Sequence, residues 1–269
     1  NIMSTSESII QCQHLQKSFQ QKAVLSDISF SISKGQIFGL LGPSGAGKTT
    51  LIKILTGQLS PDGGSVTVFG EKAETLTGED KRKMGIMMDQ FGLYERLTCA
   101  DNLNIYADIY EISHQRTADT LAAVGLADSL KKPAACLSKG MTARLKLARA
   151  FIHSPEILFL DEPTSGLDPV MQEVFIKFIE EEKNRGKTIL LSSHIFSEVD
   201  ATCDRIGIIK DGKIVSEFNA NDLKHASIKT YRVTFINKDE YLKFANNYSA
   251  KKYENIINVL EYNEEKNRV

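Results

Sequence analysis

The chain has 269 residues, a formal net charge of −1 from 33 basic and 34 acidic residues, and 42% hydrophobic residues. That length suits one large α/β domain with a small appendage, and a balanced charge without a Lys/Arg-dense stripe argues against a nucleic-acid partner, for which phosphate neutralisation dominates affinity. With no run of about eighteen apolar residues and no charged-then-apolar leader, the sequence predicts neither a membrane span nor secretion.

Cys12, Cys99, Cys136 and Cys203 lie far apart without metal-ligand spacing and are expected to be reduced thiols in a cytosolic setting. Asn1-Ile2 ahead of Met3 is expected to be the remainder of a tag. Alternating apolar residues over 9–19 and 24–32, separated by Gln20-Gln21-Lys22, predict an antiparallel hairpin. Ile37 to Leu41 is a short buried strand, and after a glycine-rich loop the apolar spacing from Thr50 to Leu55 is helical. Pro61-Asp62-Gly63-Gly64 breaks the chain before a strand from Ser65 to Gly70. Met84 to Met88 is another apolar strand, its methionines read as core, ending at Asp89-Gln90.

From Thr98 to Ala150 the periodicity becomes helical, with Leu103, Tyr106, Ala107 and Tyr110 on one face and a break at Gly125, which predicts an inserted helical subdomain over about 96–152. Ile157 to Leu160 is a strand closed by Asp161-Glu162-Pro163. The helix after it carries Val170, Val174, Phe175, Phe178 and Ile179 as its apolar stripe and ends at Gly186. Thr188 to Ser192 has the character of a parallel strand covered on both faces. Residues 205–218 alternate about Lys210-Asp211-Gly212-Lys213, a hairpin turn. A polar segment from Asn219 to Lys229 precedes an expected strand over 231–236, a helix over 238–247 and a strand over 253–262; the chain stops just past a polar turn, so a longer natural protein is expected.

The chemistry starts at Gly42-Pro43-Ser44-Gly45-Ala46-Gly47-Lys48-Thr49-Thr50, placed at a strand-to-helix turn. Glycines keep Cβ atoms away, so successive backbone N–H groups can surround phosphate oxygens at the positive end of a helix dipole. Lys48 then reaches the β- and γ-phosphates and the Thr49 hydroxyl can ligate Mg²⁺. Asp161 closes an apolar strand where α/β sheets present ligands, which fits a Mg²⁺ partner. Glu162 follows, placed to accept a proton from, or to orient, an attacking water.

Between these elements lie Leu137-Ser138-Lys139-Gly140-Met141, Arg144 and the run 147–150. With them the chain resembles the nucleotide-binding subunit of an ATP-binding-cassette (ABC) transporter over about 9–222. Gly42 to Thr50 matches the Walker A motif, Ile157 to Glu162 matches Walker B, and Leu137 to Met141 matches the signature motif. Gln90 matches the Q-loop glutamine, Ser165-Gly166-Leu167-Asp168 the D-loop and His194 the switch histidine. Phe19 falls where the family places an aromatic residue that stacks on adenine.

The resemblance implies a P-loop NTPase fold of ABC type, α/β, with a mixed or parallel sheet core, an antiparallel β layer and an inserted helical subdomain. The nucleotide-binding domain is expected over 3–222 and a small α+β extension, read as a structural cap, over 228–269. It also implies ATP and Mg²⁺, with Gln90 on Mg²⁺ or water, and with Ser138 and Gly140 against the γ-phosphate held by a second cassette. His194 follows a buried strand, a position that looks into the site, and its imidazole is implied to bond the γ-phosphate, Glu162 or the water.

The expected partners are a second cassette in a homodimer and an integral membrane permease, with the chain cytoplasmic and peripheral to the membrane. Phe91 to Arg96 is expected to pass the motion to that permease. Lys139 and Met141 depart from the family's usual Leu-Ser-Gly-Gly-Gln, and Lys139 is expected to extend into solvent, since a long side chain in a tight interface costs packing. The Ser-x-Gly-Met signature and the lead-in Gly39 to Pro43 resemble bacterial exporter cassettes. A soluble non-transport ATPase or an importer cassette are the alternatives.

Overall fold

The computed structural model describes residues 8–20, 22–89, 92–165 and 167–220. The chain divides into two units, Asn1–Ala220 and Asn221–Val269. Gln90 and Phe91, and the elements expected beyond 220, lie outside the described residues.

Among the described residues ten strands form one mixed sheet whose arrangement decides where the polar residues meet. Strands β1 (Ser8–Phe19) and β2 (Lys22–Ser33) are the predicted hairpin, and β4 (Gly63–Val68) pairs antiparallel with the outer side of β1, with the two-residue β5 (Glu71–Lys72) beside it. The parallel part runs β9 (Arg205–Lys210), β3 (Ile37–Leu41), β8 (Thr188–Ser193), β7 (Ile157–Asp161) and β6 (Met84–Met87). Strand β10 (Lys213–Asn219) returns antiparallel to β9 and meets β2 in parallel at Lys213 and Asp27, joining the two parts. Because β3, β8, β7 and β6 all point the same way, the segments leaving their C-terminal ends share one edge, where open α/β sheets place ligands.

The parallel strands are apolar throughout because both faces are covered, and their side chains alternate between two cores with the strand period of two. Phe38, Leu40, Ile157, Phe159 and Leu190 pack with α1 (Lys48–Leu55) and the antiparallel layer. Ile37, Leu158, Leu160, Ile189 and Leu191 pack on the other face, against α5 (Lys139–Phe151), α6 (Pro169–Asn184) and α7 (Phe196–Thr202). Gly39 belongs to that second face, and a Cβ there would stand 2.7 Å from Cys203 Sγ and 3.1 Å from Val199 Cβ, so only glycine lets α7 come so close.

The helical region consists of α3 (Cys99–Ile109), α4 (Gln115–Ala123) and α5. The Thr98 hydroxyl caps α3 by accepting Asp101 N–H, and Gly125 terminates α4 with φ 69°, as the glycine signal predicts. Leu103 and Ala107 are buried, and Met84, Met87 and Met88 are core residues. A five-residue helix, α2 (Gly78–Arg82), has no apolar period that the sequence could show; its start is fixed by a capping box between Thr77 and Asp80.

One expected core residue is corrected. Val170 is 65% exposed, because α6 begins only at Pro169 and its first turn projects past the core that takes up Phe175, Phe178 and Ile179. The helix ends as expected, at Gly186 with φ 80°.

Candidate functional site

The loop from Gly42 to Gly47 leaves β3 and enters α1, and its glycines are demanded by space as well as by dihedral angle. A Cβ on Gly42 would lie 2.3 Å from the Ile209 carbonyl oxygen, and Gly47, at φ 106°, would drive one into Leu25 at 2.6 Å. Gly45 also has positive φ. The β2 hairpin arm therefore packs directly on the loop, and the N–H groups of the first turn of α1 stay free for an anion.

Lys48 is 5% exposed, an unfavourable place for an ammonium unless oxygens surround it. Its Nζ donates to the carbonyls of Gly42 at 2.7 Å and Pro43 at 3.0 Å and pairs with Glu162 Oε1 at 2.9 Å. The next residue, Thr49, donates its hydroxyl to Asp161 Oδ2 at 2.6 Å. Two hard oxygen donors thus stand together beside the phosphate loop, a donor set that suits Mg²⁺ sharing its remaining ligands with phosphate oxygens.

Glu162 has φ 48°, a left-handed conformation unusual for a non-glycine residue and frequent at sites where geometry is imposed. The Ser192 hydroxyl holds it there by accepting Glu162 N–H at 2.9 Å while donating to Asp161 Oδ1 at 2.6 Å. The turn turns the Glu162 carboxylate toward Lys48 on one oxygen and His194 Nδ1 at 2.5 Å on the other. Burial alone would push this carboxyl up, but the hydrogen bonds and charges of Lys48 and His194 outweigh it and hold the group below the ordinary 4.5. The carboxylate is therefore ionised at neutral pH, as a group that receives or orients a water must be.

A cleft of about 420 Å³ opens on this edge, lined among others by Ser44, Gly45, Gly47, Lys48, Thr49, Thr50, Glu162 and His194. The sheet order thus brings together the loop, the pair Asp161-Glu162 and His194 from three separated stretches of sequence. Ala46 is buried beneath the loop. Phe19 stands apart at the end of β1, 45% exposed, with Lys17 Nζ 5.6 Å from its ring centre and Asp62 anchoring Lys17 at 2.7 Å.

Ser138 and Asp168 serve as helix caps: the Ser138 hydroxyl accepts Met141 N–H at 3.3 Å at the start of α5, and Asp168 accepts Met171 N–H at 3.0 Å at the start of α6. Gly140 faces α6, and a Cβ there would come within 3.3 Å of Met171. Lys139 is exposed and Met141 is half-buried against the helical core. These residues do not join the cleft lined by the phosphate loop.

Two residues of the site escaped the sequence reading. Ser192 is wholly buried in β8, and Asp89, at the cleft margin, is tied to Lys146 of α5 through its carbonyl at 3.3 Å and its carboxylate at 3.5 Å. The available signal was the pair Ser192-Ser193 closing an otherwise apolar strand, since buried hydroxyls must find partners.

The ABC transporter family matches residues 25–165 of this chain. The linearmycin resistance ATP-binding protein LnrL of Bacillus subtilis (strain 168) is 36% identical over 219 residues, covering 80% of this chain and 70% of the relative. The lantibiotic transport ATP-binding protein SrtF of Streptococcus pyogenes is 39% identical over 209 residues, covering 78% and 90%. Among solved structures, an ATP-binding subunit of an ABC transporter superimposes with a TM-score of 0.73 at 28% identity, covering 81% of this chain and 93% of that one.

Proposed function

This chain belongs to the ABC transporter family as an ATP-binding, ATP-hydrolysing subunit, and we propose that Lys48, Glu162 and His194 carry its hydrolysis within a head-to-tail pair of cassettes that powers export through a separate membrane permease. The observation that carries this reading is the Glu162 carboxylate held between Lys48 and His194 at the mouth of the phosphate loop.

Transfer of the γ-phosphoryl group to water needs positioning and charge neutralisation more than covalent help. The N–H groups of the loop and the Lys48 ammonium grip the β- and γ-phosphate oxygens, with Ser44 and Thr50 at the rim of the cleft. Thr49 and Asp161, with Gln90, would hold Mg²⁺, which when bound would neutralise charge on those oxygens. Glu162 accepts a hydrogen bond from the attacking water and takes its proton as the water oxygen bonds to the γ-phosphorus and the bond to the β–γ bridging oxygen breaks, releasing ADP; His194 fixes the direction of that carboxylate. Phe19 stacks on the adenine base.

The remaining charge comes from the partner's signature helix, where Ser138 and Gly140 at the start of α5 present N–H groups to the phosphate bound on the first chain. Asp168 caps α6 near the same seam. Removing the γ-phosphate then loosens the pair.

The permease is engaged by the segment before α3. Asn102, buried in α3, accepts Tyr94 N–H at 2.8 Å and donates to the Tyr94, Leu97 and Thr98 carbonyls, so the backbone is held while the Tyr94 side chain stays 55% exposed. Among the described residues no helix is long and apolar enough to cross a membrane, and the chain works from the cytoplasmic face on a permease that supplies the spans. Relatives named for linearmycin resistance and lantibiotic transport support antimicrobial compounds as the first candidate cargoes to test.

The test is Glu162→Gln in the purified full-length chain. The variant is expected to bind ATP as well as the parent, to elute as a dimer with ATP and Mg²⁺, and to release almost no phosphate. Phosphate release at the parent's rate would overturn the role given to Glu162.

A further inference from the structure

Glu198 on α7 is a carboxylate that the mechanism above does not use, and it is only 7% exposed. Burying such a group is unfavourable unless its oxygens are bonded. Both are: Oε2 accepts the Ser193 hydroxyl at 2.5 Å, and Oε1 accepts the Gln172 side-chain amide at 3.3 Å. Its own carbonyl accepts the Thr202 hydroxyl at 2.8 Å, which secures the end of α7.

Ser193 is the residue before His194, and its bonds reach both sides of the histidine. The Ser193 carbonyl accepts Gly42 N–H from the phosphate loop at 3.1 Å, and its Oγ accepts Ile195 N–H at 3.0 Å. A hydroxyl has one proton. Giving that proton to Glu198 turns the oxygen's lone pairs toward Ile195, so the residues on either side of His194 hang on one oxygen that Glu198 orients. Gln172 connects the same carboxylate to the start of α6, where its N–H meets the Asp168 carbonyl at 3.0 Å. A cavity of about 130 Å³ between α6 and α7, bordered by Thr164, Phe175 and Leu191, leaves space for this cluster to shift when a bond is lost.

We infer that Glu198 is a positioning residue for His194: through Ser193 it fixes the turn that aims the imidazole at Glu162, and through Gln172 it ties that turn to the helix capped by Asp168. The inference rests on the proposed role of His194 in hydrolysis.

The experiment is steady-state phosphate release by full-length Glu198→Gln, Ser193→Ala, His194→Ala and the double variant Glu198→Gln/His194→Ala, with melting temperatures alongside. Glutamine keeps the size of the side chain but offers one acceptor oxygen instead of two. Glu198→Gln is expected to lower kcat about tenfold with the KM for ATP and the melting temperature nearly unchanged, and Ser193→Ala to lower kcat at least as much while also lowering the melting temperature, since it unpairs a buried carboxylate oxygen and the Ile195 N–H. The double variant is expected to be no slower than His194→Ala alone, because a residue that acts through the imidazole has nothing to position once it is gone. Parent kcat in Glu198→Gln, a loss in that variant that multiplies in full with that of His194→Ala, or a loss in it that follows a lowered melting temperature overturns the inference. If His194→Ala itself hydrolyses ATP at the parent's rate, the reading of the site fails first, and Glu198 falls with it.

Discussion

Ser192 and Asp161 face each other across the β7–β8 pairing, and the Ser192 hydroxyl donates to Asp161 Oδ1 at 2.6 Å while its oxygen accepts Glu162 N–H at 2.9 Å. One buried hydroxyl therefore orients both carboxylates of the site and sustains the left-handed turn at Glu162. Ser192→Ala leaves a part-buried carboxylate oxygen and a part-buried backbone N–H without this partner, a loss of about 1–3 kcal/mol where such groups go unpaired. The variant is expected to lose that much in urea unfolding and to fall in kcat, with Ser192→Thr restoring part of both. An alanine variant equal to the parent in stability and rate would show that the turn at Glu162 holds itself.

Lys48 and His194 hold Glu162 in its ionised form, and this gives a pH signature. In the folded chain the Glu162 carboxyl lies below its ordinary 4.5, since Lys48 and His194 outweigh burial. A depressed folded value means that the ionised carboxylate adds stability above the unfolded value, and that this is lost as pH falls through the folded value. The melting-temperature advantage of the parent over Glu162→Gln is thus expected to be constant above about pH 5 and to shrink below 4.5. With Lys48→Met the largest influence, burial, meets less opposition, so the advantage is expected to fall or change sign near neutral pH. The same advantage with and without Lys48 would dissociate the two groups.

Phe19→Ala tests the proposed adenine stack. Lys17 lies against the ring and is itself pinned by Asp62, which also accepts Ser18 N–H at 2.7 Å, so the end of β1 stays ordered when the ring is removed. A stacking contact is worth about 1 kcal/mol. Contact made equally in the ground and transition states raises KM without touching kcat, and about a fivefold rise in KM for ATP is expected. A matching fall in kcat would mean that Phe19 does something other than hold the base.

Much of this site is legible in the chain because its parts are local. The glycines from Gly42 to Gly47 sit between a strand and a helix in the sequence, and Asp161 ends an apolar run; both are read from neighbours a few residues away. Ser192 is different. Its role depends on β8 lying between β3 and β7, a pairing of strands about thirty and one hundred and fifty residues apart in sequence, which periodicity does not encode. Val170 misleads for a related reason: its spacing fits the stripe of α6, but whether a first turn meets the core depends on where the helix starts relative to the sheet. Ser138 and Asp168 are visible as motif residues, yet within this chain each caps its own helix, so their proposed contact with nucleotide needs a second chain.

His153 gives a pH dependence remote from the nucleotide. Its ring stacks on Tyr110 with centres 3.9 Å apart and planes within 6°, Nε2 bonds the Met84 carbonyl at 2.9 Å, and buried Nδ1 has no hydrogen-bond partner among the described residues. Burial is the main cause that lowers its pKa to about 4, with Lys187 and Arg116 adding repulsion against the bond to Met84. The unfolded chain takes up a proton near the ordinary 6.5, so between that value and about 4 the unfolded state binds more protons and stability falls as pH falls. His153→Phe keeps the stack and removes the titration. At pH 7 it is expected to be less stable by about 0.5–1.5 kcal/mol, the worth of the lost bond to Met84, with this deficit narrowing as pH drops toward 4.5. Thermal melts of both proteins across that range decide it: curves that stay parallel would mean that His153 takes up its proton in the folded chain as readily as in the unfolded one.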